Sequence, residues 1–297
     1  MTTPNVRWTF HGTVLVHDYD AALAWLNRMT GCTALEFSDA GPPVSRRGGC
    51  CSLGDNLLEL MEPNDPASPG GRYLERFGPG LFNIALQVDD IQAMSDHLGA
   101  HGAPVAFPPE QGFTFTRPRD TCGIQFEWAD IQGEWDPRFG GAWPSARGLI
   151  ETPRIAWWGA LVSDPGEAVR RLNALWPAPV LHLDPSAPPD RIAAALSLGD
   201  GVLALYRLPE TLEEERALWG VATGKARTHL IALRVTSLAD ACVTLTAEGV
   251  RLLRESADEI VTRPEDCHGL VISWTERDLS GDPRGPLRPI GATTGSR

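Results

Sequence analysis

His11-Gly12-Thr13-Val14-Leu15-Val16-His17-Asp18 organises the chain. Apolar residues alternate through it, then give way at Asp18 to a helical spacing through Ala22, Leu23, Trp25 and Leu26 that closes at Gly31. Period two followed by a 3.6-residue rhythm predicts a strand running into a helix, with the Asp18 carboxylate capping the unpaired N–H groups of the first turn. The same design returns at 83–90, 157–164 and 230–237, so the starting positions 11, 83, 157 and 230 stand 72, 74 and 73 residues apart. Such even spacing marks internal repetition, which governs the fold before any single motif does.

Matched strands close each copy. Ser52-Leu53-Gly54-Asp55 opens a segment answered by Ser197-Leu198-Gly199-Asp200, and the segment from Asp120 to Trp128 is answered by that from Asp266 to Trp274. Copies one and three therefore pair, as do two and four. The pattern predicts an α+β chain of four βαβββ units in two tandem domains, 1–131 and 154–277. Residues 132–153, rich in Gly, Pro and Trp, read as a linker, and 278–297 as a disordered tail.

Composition narrows the partners. The net charge is −12 at a pI near 5.0. A surface that acidic repels phosphate backbones and anionic lipid, which argues against nucleic acid and membrane as partners. No apolar run is long enough to span a bilayer, and the N-terminus lacks a basic-then-apolar signal, so the expected location is the cytoplasm. Six cysteines without a Cys-x-x-Cys spacing, two of them the adjacent Cys50 and Cys51, suit free thiols better than a disulfide framework. The expected partners are a small-molecule substrate or ligand and, in a homodimer, a second copy of the chain.

A repeated βαβββ unit opening with His-x-x-x-x-Val-x-Asp resembles the vicinal-oxygen-chelate superfamily, which includes glyoxalases, epimerases, bleomycin-resistance proteins and extradiol dioxygenases. The stretches Leu58-Glu59-Leu60-Met61-Glu62-Pro63 and Gly78-Pro79-Gly80-Leu81-Phe82-Asn83 look most like the epimerase branch. The resemblance covers residues 8–130 and, more weakly, 154–277. It implies that each domain is a cup-shaped mixed sheet with outer helices, around a metal held by the first and last strands of each unit. By position the ligands in the first half are His11, Glu59, Asn83 and Glu127, all lone-pair donors. The equivalents in the second half are Trp157, Ala204, Leu230 and Ser273, which do not make a cation site. This split between matched positions places one metal-competent site in the first cup.

Asn83 departs from the family, which has His there. One imidazole, one amide oxygen and two carboxylates suit a divalent ion among Mn, Mg, Co, Ni, Zn and Fe. The implied activity is that of a divalent-metal-dependent isomerase, epimerase or lyase acting on a small oxygenated carbonyl compound, with Glu127 or Glu59 moving the proton. Two alternatives stand beside it: an Fe(II) extradiol-type ring-cleaving dioxygenase, and a non-catalytic small-molecule-binding or resistance protein. Inward glutamates need a cation, a proton or an arginine, and Arg117 or Arg119 is a candidate for the last. Glu36 is a loose candidate for a second acid–base group. His97 and His101, four apart on a helix, are expected to pack outside the cup. Trp128 and Trp274 should face the helices, and Trp157 should point into the second cup, plugging it or stacking on a ligand.

Overall fold

The computed structural model describes residues 4–41, 45–134, 136–143 and 146–285. The first half contributes β1 (Val6–Leu15), α1 (Tyr19–Thr30), β2 (Thr33–Ala34), β3 (Ser38–Ala40), β4 (Arg46–Leu53), β5 (Asn56–Pro63), α2 (Pro69–Phe77), β6 (Gly80–Val88), α3 (Ile91–Ala100), β7 (Phe113–Phe115) and β8 (Phe126–Ala129). The second contributes β9 (Arg154–Val162), α4 (Pro165–Leu175), β10 (Val180–Leu183), β11 (Ile192–Ser197), β12 (Val202–Arg207), α5 (Leu212–Trp219), β13 (Arg227–Arg234), α6 (Leu238–Ala247), β14 (Leu252–Glu255), β15 (Glu259–Thr262) and β16 (Val271–Thr275).

Two eight-stranded mixed sheets result, ordered β2-β4-β5-β1-β6-β8-β7, with β3 on β4, and β10-β11-β12-β9-β13-β16-β15-β14. In each, the opening strands of two units (β1 with β6, β9 with β13) lie antiparallel at the centre. The closing strand of each unit runs parallel beside its own opener. The duplication read from the 73-residue rhythm is thus present in the pairing. The second unit is thinner than βαβββ, since an isolated Val105–Thr116 bridge stands where a strand was expected. Helices α2 and α5 are additions that the repeat did not announce.

The caps follow the repeat. Asp18, Asp90, Asp164 and Ser237 each accept the backbone N–H of the third residue of the helix that follows. The helix-facing sides of both sheets share one buried core, in which Trp128 packs edge-on against Trp176. Trp158 of β9 lies over β1 at Gly12, where a Cβ would fall 2.2 Å from the indole. Glycine is required there by close approach.

A second duplication joins the halves. Asp136-Pro137-Arg138 and Asp282-Pro283-Arg284 each follow the last strand of a sheet. Arg138 pairs with Asp136 at 2.8 Å and donates to the carbonyls of Thr9 and Phe10, while Asp200 of the other half accepts from Thr9 N and lies 3.4 Å from the same guanidinium. Arg284 repeats this with Asp282, the carbonyls of Ile155 and Ala156, and Asp55. The tail expected to be disordered from Asp278 is therefore fixed as far as Gly285, because its arginine is spent on buried carbonyls. Residues 286–297 lie outside the described residues. All six cysteines are free, and among the described residues no helix is long and apolar enough to cross a membrane.

Candidate metal centre in the first cup

Strand register brings the site together. On β5 and β6, Glu59 and Asn83 both stand beside Thr13 of β1. One pleat away, Ala85 of β6 stands beside both His11 of β1 and Glu127 of β8. Side chains of laterally paired residues share a face, and residues two apart on a strand return to it. His11, Thr13, Glu59, Asn83 and Glu127 therefore point into one cup. A bulge at Phe10 sets its ring 4.8 Å from the imidazole.

The donor atoms of His11, Glu59 and Glu127 lie within 4.8 Å of one another. His11 Nε2 is 3.8 Å from Glu127 Oε1. An ion about 2.0–2.2 Å from each atom would hold such donors about 3–4 Å apart, so small side-chain shifts suffice. Asn83 donates through Nδ2 to Glu127 Oε2 at 3.2 Å, and its Oδ1 is buried without a hydrogen-bond partner. An orphaned acceptor beside two carboxylates and an imidazole is a donor set that suits a cation. The residues fit the group. Asn83 joins the cluster in space through its bond to Glu127.

Sequence reasoning missed two neighbours. The Thr13 hydroxyl donates to Glu59 Oε2 at 3.0 Å and lies 3.3 Å from His11 Nδ1. With its one proton on Glu59, it accepts from Nδ1–H, which leaves the Nε2 lone pair facing Glu127. Thr13 was findable, being two residues from His11 on the same strand face. Arg46 of β4 is the second: its Nη2 lies 3.0 Å from Glu59 Oε1, and its Nη1 donates to Ser38. The arginine at the cup is thus Arg46; Arg117 and Arg119 are exposed, and Arg119 pairs with Asp120. Arg46 takes up one Glu59 oxygen and Thr13 the other, yet each carboxylate oxygen retains a lone pair.

Burial sets the protonation states. Desolvation lowers the His11 pKa despite the nearby Glu59 charge, so the imidazole is neutral and able to ligate. Desolvation, then repulsion from Glu59, pushes Glu127 well above the ordinary carboxylate range, against the Asn83 hydrogen bond and Arg46. Glu36 is exposed and lies off the three-donor cluster. His97 Nε2 engages the Leu175 carbonyl and so ties α3 to α4, while His101 Nδ1 engages the His97 carbonyl within the last turn of α3.

The second cup is filled by its own side chains. Trp157 donates to the Tyr206 hydroxyl at 2.9 Å and is buried with Ala204 and Leu230. Ser273 donates to Glu259, which Arg254 also holds. Among the described residues the first cup carries the one group of three such donors.

The profile of the Glyoxalase/Bleomycin resistance protein/Dioxygenase superfamily matches residues 10–118, the stretch that supplies His11, Glu59 and Asn83. The chain has the vicinal-oxygen-chelate fold. A mutant of 4-hydroxymandelate synthase from Streptomyces coelicolor is similar over 94% of this chain and 96% of its own, at 15% identity and a TM-score of 0.63, and thus shares the tandem arrangement of vicinal-oxygen-chelate domains. Methylmalonyl-CoA epimerase from Mycobacterium tuberculosis is similar over 45% of this chain and 94% of its own, at 22% identity and a TM-score of 0.41. A variant of the Streptomyces coelicolor epimerase in complex with 2-nitronate-propionyl-CoA covers 42% and 96%, at 21% identity and a TM-score of 0.39. No curated protein sequence matches the chain.

Proposed function

We propose that the first cup holds a divalent cation through His11, Glu59 and Glu127, with Asn83 Oδ1 as a fourth donor, and that the protein is an isomerase, epimerase or lyase for a small oxygenated carbonyl compound. The convergence of three ligand atoms beside an orphaned amide oxygen carries this reading. The bound cation would act as a Lewis acid toward neighbouring oxygens of the substrate, stabilising negative charge that develops as the adjacent carbon loses a proton.

The chain's own residues divide the remaining work. Glu59, paired with Arg46 and held by Thr13, is a fixed anionic ligand. Glu127 has no arginine partner among the described residues and stands beside Asn83 and His11, where its carboxylate would take up and return the proton at the reacting carbon. Thr13 keeps His11 in the ligating tautomer, and Phe10, Leu57, Ala85 and Ala129 form an apolar wall that limits water. A single imidazole separates this set from two-histidine, one-carboxylate iron sites. Metal analysis of the purified protein after dialysis against Mn²⁺ tests the reading. About one ion per chain is expected, and none in the His11→Ala, Glu127→Ala double variant. Equal metal content in the two proteins would overturn it.

A further inference from the structure

We infer that the floor of the first cup is a second ligand subsite, in which the Gln87 amide oxygen accepts a hydrogen bond from an uncharged hydroxyl at the far end of an apolar ligand. As a contact for the substrate proposed above, the subsite rests on that reading, but its own binding step needs no cation. Gln87 is 1% exposed, and its Oε1 has no hydrogen-bond partner among the described residues. A buried acceptor left unpaired is costly, so the position asks for a donor. Asn83, Ala85 and Gln87 alternate along β6, where register sets Gln87 beside Trp8 of β1 and Ala129 of β8. Gln87 therefore opens on the same interior as Asn83, two residues beyond the level of His11 and Glu127, or about 7 Å along the strand. Phe10, Leu57, Ala85 and Ala129 form the apolar belt in between.

The second half shows what closes such a floor. Arg154 and Arg234 pair laterally on β9 and β13 as Trp8 and Gln87 do on β1 and β6. Asp278 lies 3.6 Å from Arg154 and 3.4 Å from Arg234, so that floor is sealed by its own charges. The first half has an indole and an amide there, and they do not bond each other: Trp8 Nε1 is also buried and unpartnered among the described residues. Trp143, which packs against the apolar belt, carries a third such atom in its indole N–H. Arg138 joins the two indoles, 5.4 Å from the Trp8 ring and 5.8 Å from that of Trp143. One acceptor and two donors at one end of a cup match a hydroxyl, which gives one hydrogen bond and takes two. A carboxylate has nothing to give Gln87, and an ammonium nothing to take from the indoles. Arg138 is no counter-ion for either charge, since Asp136, Asp200 and the carbonyls of Thr9 and Phe10 already occupy it.

4-Fluorophenol and 4-fluorotoluene test this directly, since they are close in size and only the first has a hydroxyl. Each is titrated at pH 7 onto protein dialysed against EDTA and onto protein supplied with Mg²⁺, and binding is read from fluorine nuclear magnetic resonance line widths. Wild-type protein should bind the phenol at least about tenfold more tightly than the toluene in both states. Gln87→Met, nearly equal in shape but without the amide, should shrink that ratio at least about fivefold. Trp143→Phe, which keeps a ring against the belt and removes one N–H, should weaken phenol binding at least about threefold, and it decides the matter if the Gln87 variant does not fold. Equal affinity for the two compounds, no binding of either, or a ratio unchanged in Gln87→Met overturns the subsite and leaves the metal reading standing. A phenol preference that persists in the His11→Ala, Glu127→Ala double variant supports the subsite whether or not the cup holds an ion.

Discussion

Replacing Glu127 by Gln keeps the shape of the buried side chain and removes its charge, so it separates two consequences of the proposed site. Without metal, Glu127 is held well above the ordinary 4.5 by burial and by Glu59. The folded chain therefore keeps a proton that the unfolded chain releases, and the associated stability, present below about pH 4.5, is lost as pH rises through the raised value. Glu127→Gln cannot lose that proton, so metal-free variant should melt above metal-free wild type at pH 8. With metal the order reverses. At a hundredfold excess over Kd, Mn²⁺ stabilises wild type by about 2.7 kcal/mol, which corresponds to a rise of about 5–10 °C in Tm. If losing one charged ligand weakens binding about a hundredfold, the same Mn²⁺ concentration stabilises the variant by about 0.4 kcal/mol, a rise of about 1–2 °C. Differential scanning fluorimetry with and without Mn²⁺, at pH 6 and pH 8, reads both effects. Equal Mn²⁺-induced shifts in the two proteins would refute the assignment of Glu127 as a ligand. A metal-free variant that melts below wild type at pH 8 would refute the account of its buried charge.

Three further outcomes follow from the packing. Thr13→Val removes the hydroxyl that joins His11 to Glu59 and should lower metal affinity about 10–100-fold by calorimetric titration, with the fold intact by circular dichroism; unchanged affinity would dismiss the tautomer argument. Arg284→Ala strips partners from buried Asp282, from Asp55 and from two backbone carbonyls, and should cost about 3–5 kcal/mol in urea unfolding; a cost under about 1 kcal/mol would show that the second clamp is dispensable. Trp157→Ala empties the second cup and should cost about 3–5 kcal/mol while the protein still binds one ion; loss of the ion would mean the first cup depends on the second.

The strand–helix units, their caps and their doubling were legible in the chain itself, because period-two and 3.6-residue patterns are local and the repeat prints them four times. The four candidate ligands, His11, Glu59, Asn83 and Glu127, could be named as residue types at matched positions, and the contrast with Trp157, Ala204, Leu230 and Ser273 pointed to the first cup. The Asp136-Pro137-Arg138 and Asp282-Pro283-Arg284 pair was also there to be found, and it would have extended the ordered chain past Asp278 to Gly285. What the chain could not reveal is which residues meet across strands. Arg46 and Arg47 are neighbours of identical type, and only the β4–β5 register decides that Arg46 turns to Glu59 while Arg47 turns outward to Asp20. Likewise, whether Asn83 offers its oxygen or its nitrogen to Glu127 depends on distances set by three strands at once. Local pattern fixes which face a side chain is on; charge pairing inside a cup is settled only when separate strands are brought within a few ångströms.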